Sequence, residues 1–222
     1  MQRHPENSNL HLFYEDTYEG LPVMKEKGPF IREHLARLKQ TIDLALWQYP
    51  RLLAFRVDLR YPVGVELPPE AYLNTVISRF MESFKAKIEH NRACARERNK
   101  YAHGCKVRYV WTREIGLGGR PHYHLLILLN RDAYYTLGRL QSANQNMISR
   151  LHEAWASALR LPIEQVDGLV NFPTDATYRI HRPFCSDEVD ELFPLFRRAS
   201  YLCKSASKAY GDRQRSFDTS QG

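Results

Sequence analysis

The 222-residue chain has no apolar run approaching the roughly 18 residues that a membrane-spanning helix needs, so no membrane span is expected. Its opening, MQRHPENSNLHLF, lacks the apolar core of a secretion signal. The four cysteines, Cys94, Cys105, Cys185 and Cys203, form no Cys-x-x-Cys pair. That argues against a zinc ribbon or dithiol site and for reduced thiols in a cytosolic setting. No GxxxxGK[ST] stretch occurs, so no helicase motor is expected, and there is no internal repeat or low-complexity tract. What remains is an ordinary globular composition, 43% hydrophobic and 26% charged, suited to one large domain with appendages.

The charge is not balanced. A net charge of +7 and a pI near 9.3 favour a polyanionic partner, nucleic acid or an anionic membrane surface. The segment from Lys85 to Arg108 holds eight Lys/Arg against two Glu, and Lys85, Lys87, Arg92, Arg96, Arg98 and Lys100 are its candidate DNA contacts. A second cluster, Arg197, Arg198, Lys204, Lys208, Arg213 and Arg215, lies near the C-terminus, and Arg197 and Lys208 are candidate contacts there. Either cluster is equally readable as a solvated helix face.

Residues 1–28 mix polar residues with Pro and Gly and are expected to be an irregular lead-in. From Pro29 to Pro50 the spacing of Ile31, Leu35, Leu38, Ile42 and Leu46 predicts a helix. In RLLAFRVDLRYP, Phe55, Val57 and Leu59 share one face of a strand, and Arg56, Asp58 and Arg60 share the other. A long helix follows, opened by PPEAY. GCKVRYVWTREIG and PHYHLLILLN read as a hairpin about GLGGR, NQNMISRLHEAWASALRL as an amphipathic helix, and DGLVNF and TYRIHR as short strands. A final helix should run from about Glu188 to near Gly211, interrupted at Pro194, leaving 212–222 as a flexible tail. The expected architecture is α+β: an antiparallel five-stranded sheet flanked by helices, of split βαβ or ferredoxin-like kind, over residues 51–211 with an extra N-terminal helix at 29–50.

The stretch WTREIGLGGRPHYHLLILLN carries the chemistry. Nine histidines would supply about 0.4 His-x-His pairs by chance, so the pair alone says little. In a strand, however, His122 and His124 point to the same face, and a hairpin centred on Gly118 sets Glu114 opposite His122 and Thr112 opposite His124. Two imidazoles and a carboxylate then converge, a donor set suited to a divalent ion with open positions. A bulge in GLGGR would turn Glu114 away. The alternative is a pair of core histidines hydrogen-bonded within the sheet.

On a continuous final helix, Tyr201 shares a stripe with Arg197, Lys204, Ser205 and Lys208, apart from the apolar stripe of Phe196, Ala199, Cys203, Ala206 and Tyr210. A phenol is a poor nucleophile near neutral pH, and neighbouring cations favour its anion and neutralise an attacked phosphate. The alternative is a surface tyrosine packed on lysine stems.

Together, PHYHLLILLN and SYLCKSASK resemble the second and third motifs of the HUH endonucleases, with LLAFRVDLRYP in the place of the first. Their order resembles the inovirus-type replication initiators of filamentous phages and prophages, grouped as the YagK/YfjJ C-terminal domain family, over about residues 30–210. The resemblance implies that His122, His124 and Glu114 bind Mg²⁺ or Mn²⁺. It implies that Tyr201 attacks single-stranded DNA, leaving a 5′-phosphotyrosine link and a free 3′-OH, and that Lys204 positions phosphate or metal. The implied role is initiation of rolling-circle replication in the bacterial cytoplasm, at a single-stranded or hairpin origin, with a host helicase and polymerase. Some phage initiators carry Tyr-x-x-x-Tyr-x-x-Lys. Here Arg197 takes the first position, and Tyr210 would lie about 180° around a helix from Tyr201, which favours a single-tyrosine enzyme. A relaxase or transposase shares the chemistry. A prophage DNA-binding regulator that does not cut, and a metal phosphoesterase using Asp58 as a further acid, are the other readings; Asp58 otherwise pairs with Arg56 or Arg60.

Overall fold

The structure is a computed structural model that describes residues 2–116, 119–138, 145–182, 191–206, 208, 211 and 214–221. Gly118, Cys185, Glu188, Tyr210 and Arg213, which figure in the reading above, lie outside the described residues.

The lead-in is not irregular. It holds β1 (Arg3–His4), β2 (Asn7–Phe13), β3 (Thr17–Tyr18), β4 (Leu21–Pro22) and β5 (Phe30–Ile31). Strands β1, β2 and β5 make a small sheet, and β3 pairs with β4. The reason is hydrophobic: Leu12, Phe13, Tyr18, Leu21, Val23 and Phe30 are spaced among polar residues, and all are buried against neighbouring elements. The first helix, α1 (Arg32–Gln48), therefore starts after Pro29, because Phe30 and Ile31 are spent on the β2 pairing.

Next come β6 (Arg51–Leu59), α2 (Thr75–Arg98), β7 (Arg108–Ile115), β8 (Pro121–Asn130), α3 (Met147–Leu159), β9 (Val170–Asn171), β10 (Thr177–His181), α4 (Leu192–Ser200) and β11 (Phe217–Thr219). The protein is α+β, and its main sheet is antiparallel throughout, in the order β10-β6-β8-β7-β11 with β9 beside β6. Among the described residues it has six strands, where five were expected. The added strand comes from the segment expected to be a flexible tail, where Phe217 is buried under α1, its ring stacked on His34 at 4.1 Å.

Strand β8 is apolar on both faces because it is central. Tyr123, Leu125, Ile127 and Leu129 meet α2 and α3, whereas Leu126 and Leu128 meet α1 and α4. On the α2/α3 side Trp155 is fully buried, edge-on to the rings of Tyr61, Phe80 and Tyr123, and its indole N–H donates to the Arg60 carbonyl at 2.8 Å. Trp155→Ala is expected to cost about 3–5 kcal/mol of stability, read as a lower urea midpoint at unchanged slope.

The C-terminal helix is shorter than its periodicity predicts. After Ser200 the chain tightens into a 3₁₀ turn, Tyr201–Cys203, and Lys204 leaves with extended backbone (ψ 143°). Here Lys204 bridges to Phe30, and the Ser205 N–H donates to the Pro29 carbonyl at 2.8 Å. Pairing with β5 competes with the next helical turn and prevails, because it satisfies backbone groups on both segments.

Candidate functional site

The site begins at the β7–β8 hairpin. Its pairing sets Glu114 opposite His122 and Thr112 opposite His124, with no slip along the ladder from Arg108 to Ile115. At the turn, the Gly116 N–H donates to the Arg120 carbonyl, and Gly119 takes φ +72°, a conformation that glycine adopts at little cost.

On the α1/α4 face, Glu114, His122 and His124 each offer a ligand atom, all within 4.8 Å of one another. Glu114 Oε2 lies 3.6 Å from His122 Nε2 and 3.4 Å from His124 Nε2. Glu114 is buried and His124 nearly so, while His122 is more open. Burial by itself would raise the Glu114 pKa. The two imidazoles and the Lys204 ammonium outweigh it and hold the carboxyl ionised, well below the usual carboxylate range.

Strand β6 adds a residue whose role the sequence reading left open. Asp58 pairs across to His124, and its Oδ1 accepts from Nδ1 at 2.6 Å. That bond places the imidazole proton on Nδ1 and leaves Nε2 bare. His124 Nε2 is sealed from solvent and has no hydrogen-bond partner among the described residues, and it faces Glu114. A carboxylate behind a histidine whose other nitrogen is orphaned beside a second carboxylate is the donor arrangement of a divalent metal site. The residues therefore fit a metal. Asp58 also takes the Arg56 guanidinium at 3.3 Å, as its spacing suggested. Its place opposite His124 needed the β6–β8 pairing, which joins residues 66 apart in sequence. Asp58→Asn is expected to weaken Mn²⁺ binding about 10–100-fold by titration calorimetry with folding retained. Unchanged affinity would leave Asp58 as a partner of Arg56 alone.

The 3₁₀ turn after α4 sets Tyr201 against this cluster. Its ring lies edge-on to His124 (5.4 Å between centroids), and the Arg56 guanidinium carbon lies 5.5 Å from its centre. Lys204 Nζ donates to the phenol oxygen at 2.6 Å and stands 3.1 Å from Glu114 Oε1. Glu114 thus turns one oxygen to the histidines and the other to the lysine.

The lead-in grips the same segment. The Met24 N–H donates to Ser200 Oγ at 2.9 Å, His4 Nε2 meets Ser205 Oγ at 2.9 Å, and Glu26 pairs with Arg197 at 2.7 Å. The N-terminal sheet is therefore a brace for Tyr201 and Lys204.

The candidate DNA contacts separate. Arg197 is exposed but tied to Glu26. Lys208 does not face solvent. It is buried, donating to Thr112 Oγ1 and, at 2.8 Å, to the Leu202 carbonyl. Burial pulls its pKa down to about 8 against the opposing charge of Glu114. The helical stripe that placed Lys208 beside Tyr201 ends where α4 ends. Lys85, Lys87, Arg92, Arg96, Arg98 and Lys100 lie on or just past α2, which covers the opposite face of the sheet. Helix α2 starts near Tyr123, where Asn74 meets its phenol, and its basic half reaches Tyr134 beyond the far end of β8. These six residues do not line the metal cluster.

Among the described residues, no helix is long and apolar enough to cross a membrane. The model of the YagK/YfjJ C-terminal domain matches residues 13–220. The chain is 34% identical to the uncharacterized protein YagK of Escherichia coli K12 over 210 residues, covering 92% of this chain and 98% of YagK. It is 31% identical to the uncharacterized protein YfjJ of the same organism over 205 residues, covering 89% and 98%. No solved structure matches.

Proposed function

The chain belongs to the YagK/YfjJ C-terminal domain family, and from its site we propose that it nicks and rejoins single-stranded DNA as a metal-dependent, single-tyrosine enzyme of the HUH type. One observation carries the reading: Lys204 ties the Tyr201 phenol at 2.6 Å to the Glu114 carboxylate at 3.1 Å, so the proposed nucleophile stands beside the candidate metal ligands. The sheet order supports it. Strand β8 lies between β6 and β7, the two strands that α2 connects, an order in keeping with a split βαβ unit.

In this reading the Tyr201 oxygen forms a bond to the scissile phosphorus, the bond from phosphorus to the 3′-oxygen breaks, the phenolic proton leaves to solvent, and the 3′-oxygen departs as a hydroxyl after taking a proton from solvent. Lys204 holds the phenol in place and sets a positive charge beside the oxygen that becomes anionic. Arg56 adds a second cation against the ring. Asp58 keeps the His124 proton on Nδ1. A bound Mg²⁺ or Mn²⁺ would polarise the phosphate and stabilise its charge. The phosphotyrosine conserves the bond energy, so attack by a 3′-OH reseals the strand without a nucleotide cofactor. The role that fits such chemistry in a filamentous phage or prophage is initiation of rolling-circle replication.

The test is incubation with Mn²⁺ and single-stranded oligonucleotides tiling the DNA around the gene. A protein–DNA adduct that survives denaturation, with a free 3′-OH fragment, is expected in Mn²⁺ and not in EDTA. Binding without cutting would identify a DNA-binding regulator, and cutting without an adduct would identify a hydrolytic phosphoesterase.

A further inference from the structure

Between α2 and α3, on the sheet face away from Glu114 and the histidines, lies a groove of about 710 Å³ whose charged lining includes Lys87, His90, Arg92, Arg98, Arg150 and Glu153. Most of these groups already have partners. Lys87 pairs with Glu153 at 2.9 Å, and Arg92 donates to Asn91 at 2.7 Å while covering the Tyr134 ring at 4.6 Å. Arg150 differs. The residue is only 6% exposed, yet among the described residues its guanidinium has no hydrogen bond or ion pair. Its nitrogens stay open to the groove, where an anion would give them hydrogen-bond partners.

The chemistry selects the anion. A guanidinium matches phosphate with parallel N–H donors, and four Lys/Arg against one carboxylate leave the groove positive. A lone phosphate would need Arg150 alone. Here exposed Arg98 also sits on the lining, at the last turn of α2. Two cations on one groove suit successive phosphates better than a single one.

We propose that this groove is a second DNA site, which takes a backbone phosphate on Arg150 and holds a segment of DNA remote from the cutting centre. The choice of DNA as the polyanion rests on the function proposed above, and the measurement is arranged to separate the two. Binding of a fluorescein-labelled duplex is followed in EDTA, where no metal-dependent cutting occurs. Arg150→Met is expected to weaken binding about 10-fold, and to flatten the slope of log affinity against log salt by about one. Arg98→Gln, an exposed change that leaves packing intact, is expected to lower affinity and slope in the same direction. Both variants should bind Mn²⁺, and form any adduct with a short single-stranded oligonucleotide, as the parent does. Wild-type duplex affinity and salt slope in both variants would overturn the proposal. So would protection against thermal unfolding by inorganic phosphate or ATP that depends on Arg150 while duplex binding does not, since the groove would then serve a free phosphate or nucleotide. Absence of the tyrosine adduct in the parent protein, with duplex binding still dependent on Arg150, would defeat the nicking reading and leave this one standing.

Discussion

Tyr201→Phe is expected to abolish the covalent protein–DNA adduct, lowering cleavage by at least about 10⁴-fold, the scale on which loss of a nucleophile acts. The substitution removes one oxygen. The ring keeps its contacts with His124 and Arg56, and the only partner of the lost hydroxyl among the described residues is Lys204, which retains Glu114 at 3.1 Å. Stability should therefore change by no more than about 1 kcal/mol, and Mn²⁺ affinity should be unchanged because Glu114, His122 and His124 are untouched. A denaturing gel with labelled oligonucleotide reads the adduct, and calorimetry reads the metal. An adduct formed at the parent rate would assign the attack to another side chain. Lys204→Met is the companion variant. It leaves Tyr201 in place and should slow the reaction without eliminating it.

The second large effect concerns the ion. His122→Ala removes the more open imidazole of the candidate cluster, 29% exposed, and is the milder of the two variants. His124→Ala removes a buried ring that shields Asp58 from Glu114, so it combines loss of a ligand with the approach of two carboxylates. Either should reduce Mn²⁺-dependent cleavage on the order of 10³-fold, as expected where a metal supplies several kcal/mol of charge stabilisation. EDTA should do the same to the parent, and added Mn²⁺ should restore it. Proton competition gives a further signature. Burial lowers the His124 pKa, but the hydrogen bond to Asp58 and the nearby Glu114 carboxylate outweigh it, so this imidazole holds a second proton to higher pH than an ordinary histidine. Metal uptake requires Nε2 bare, so Mn²⁺ affinity should fall as pH falls, beginning above the ordinary histidine range. Flat affinity from pH 8 to pH 6 would argue that His124 is not a ligand.

The sequence reading placed the candidate site residues best where the pattern was local. The register about Gly118 could be counted along the chain, and it brought Glu114 to the histidines before any long-range pairing was known. Tyr201 and Lys204, three residues apart, stayed neighbours although the helix expected between them had tightened and ended. Readings that depended on a helix continuing, or on which way a helix faces, did not transfer. Lys208 was placed by periodicity beyond the point where β5 captures the chain, and it is buried. The basic run lies on a long helix as expected, but periodicity within one helix carries no information about which side of a sheet that helix covers.

The sequence alone determined the α+β order of elements, the doubly apolar central strand, the His122–His124–Glu114 face and the excess positive charge, because these follow from alternation, helical spacing and composition within short windows. Only the tertiary structure decided that Asp58 stands behind His124, that the N-terminal sheet braces Tyr201, and that Arg150 and the α2 cations lie on the face away from the metal cluster. Those facts depend on strand order and on the faces that helices cover. Burial of apolar area across the whole molecule sets both, joining residues that no local pattern connects.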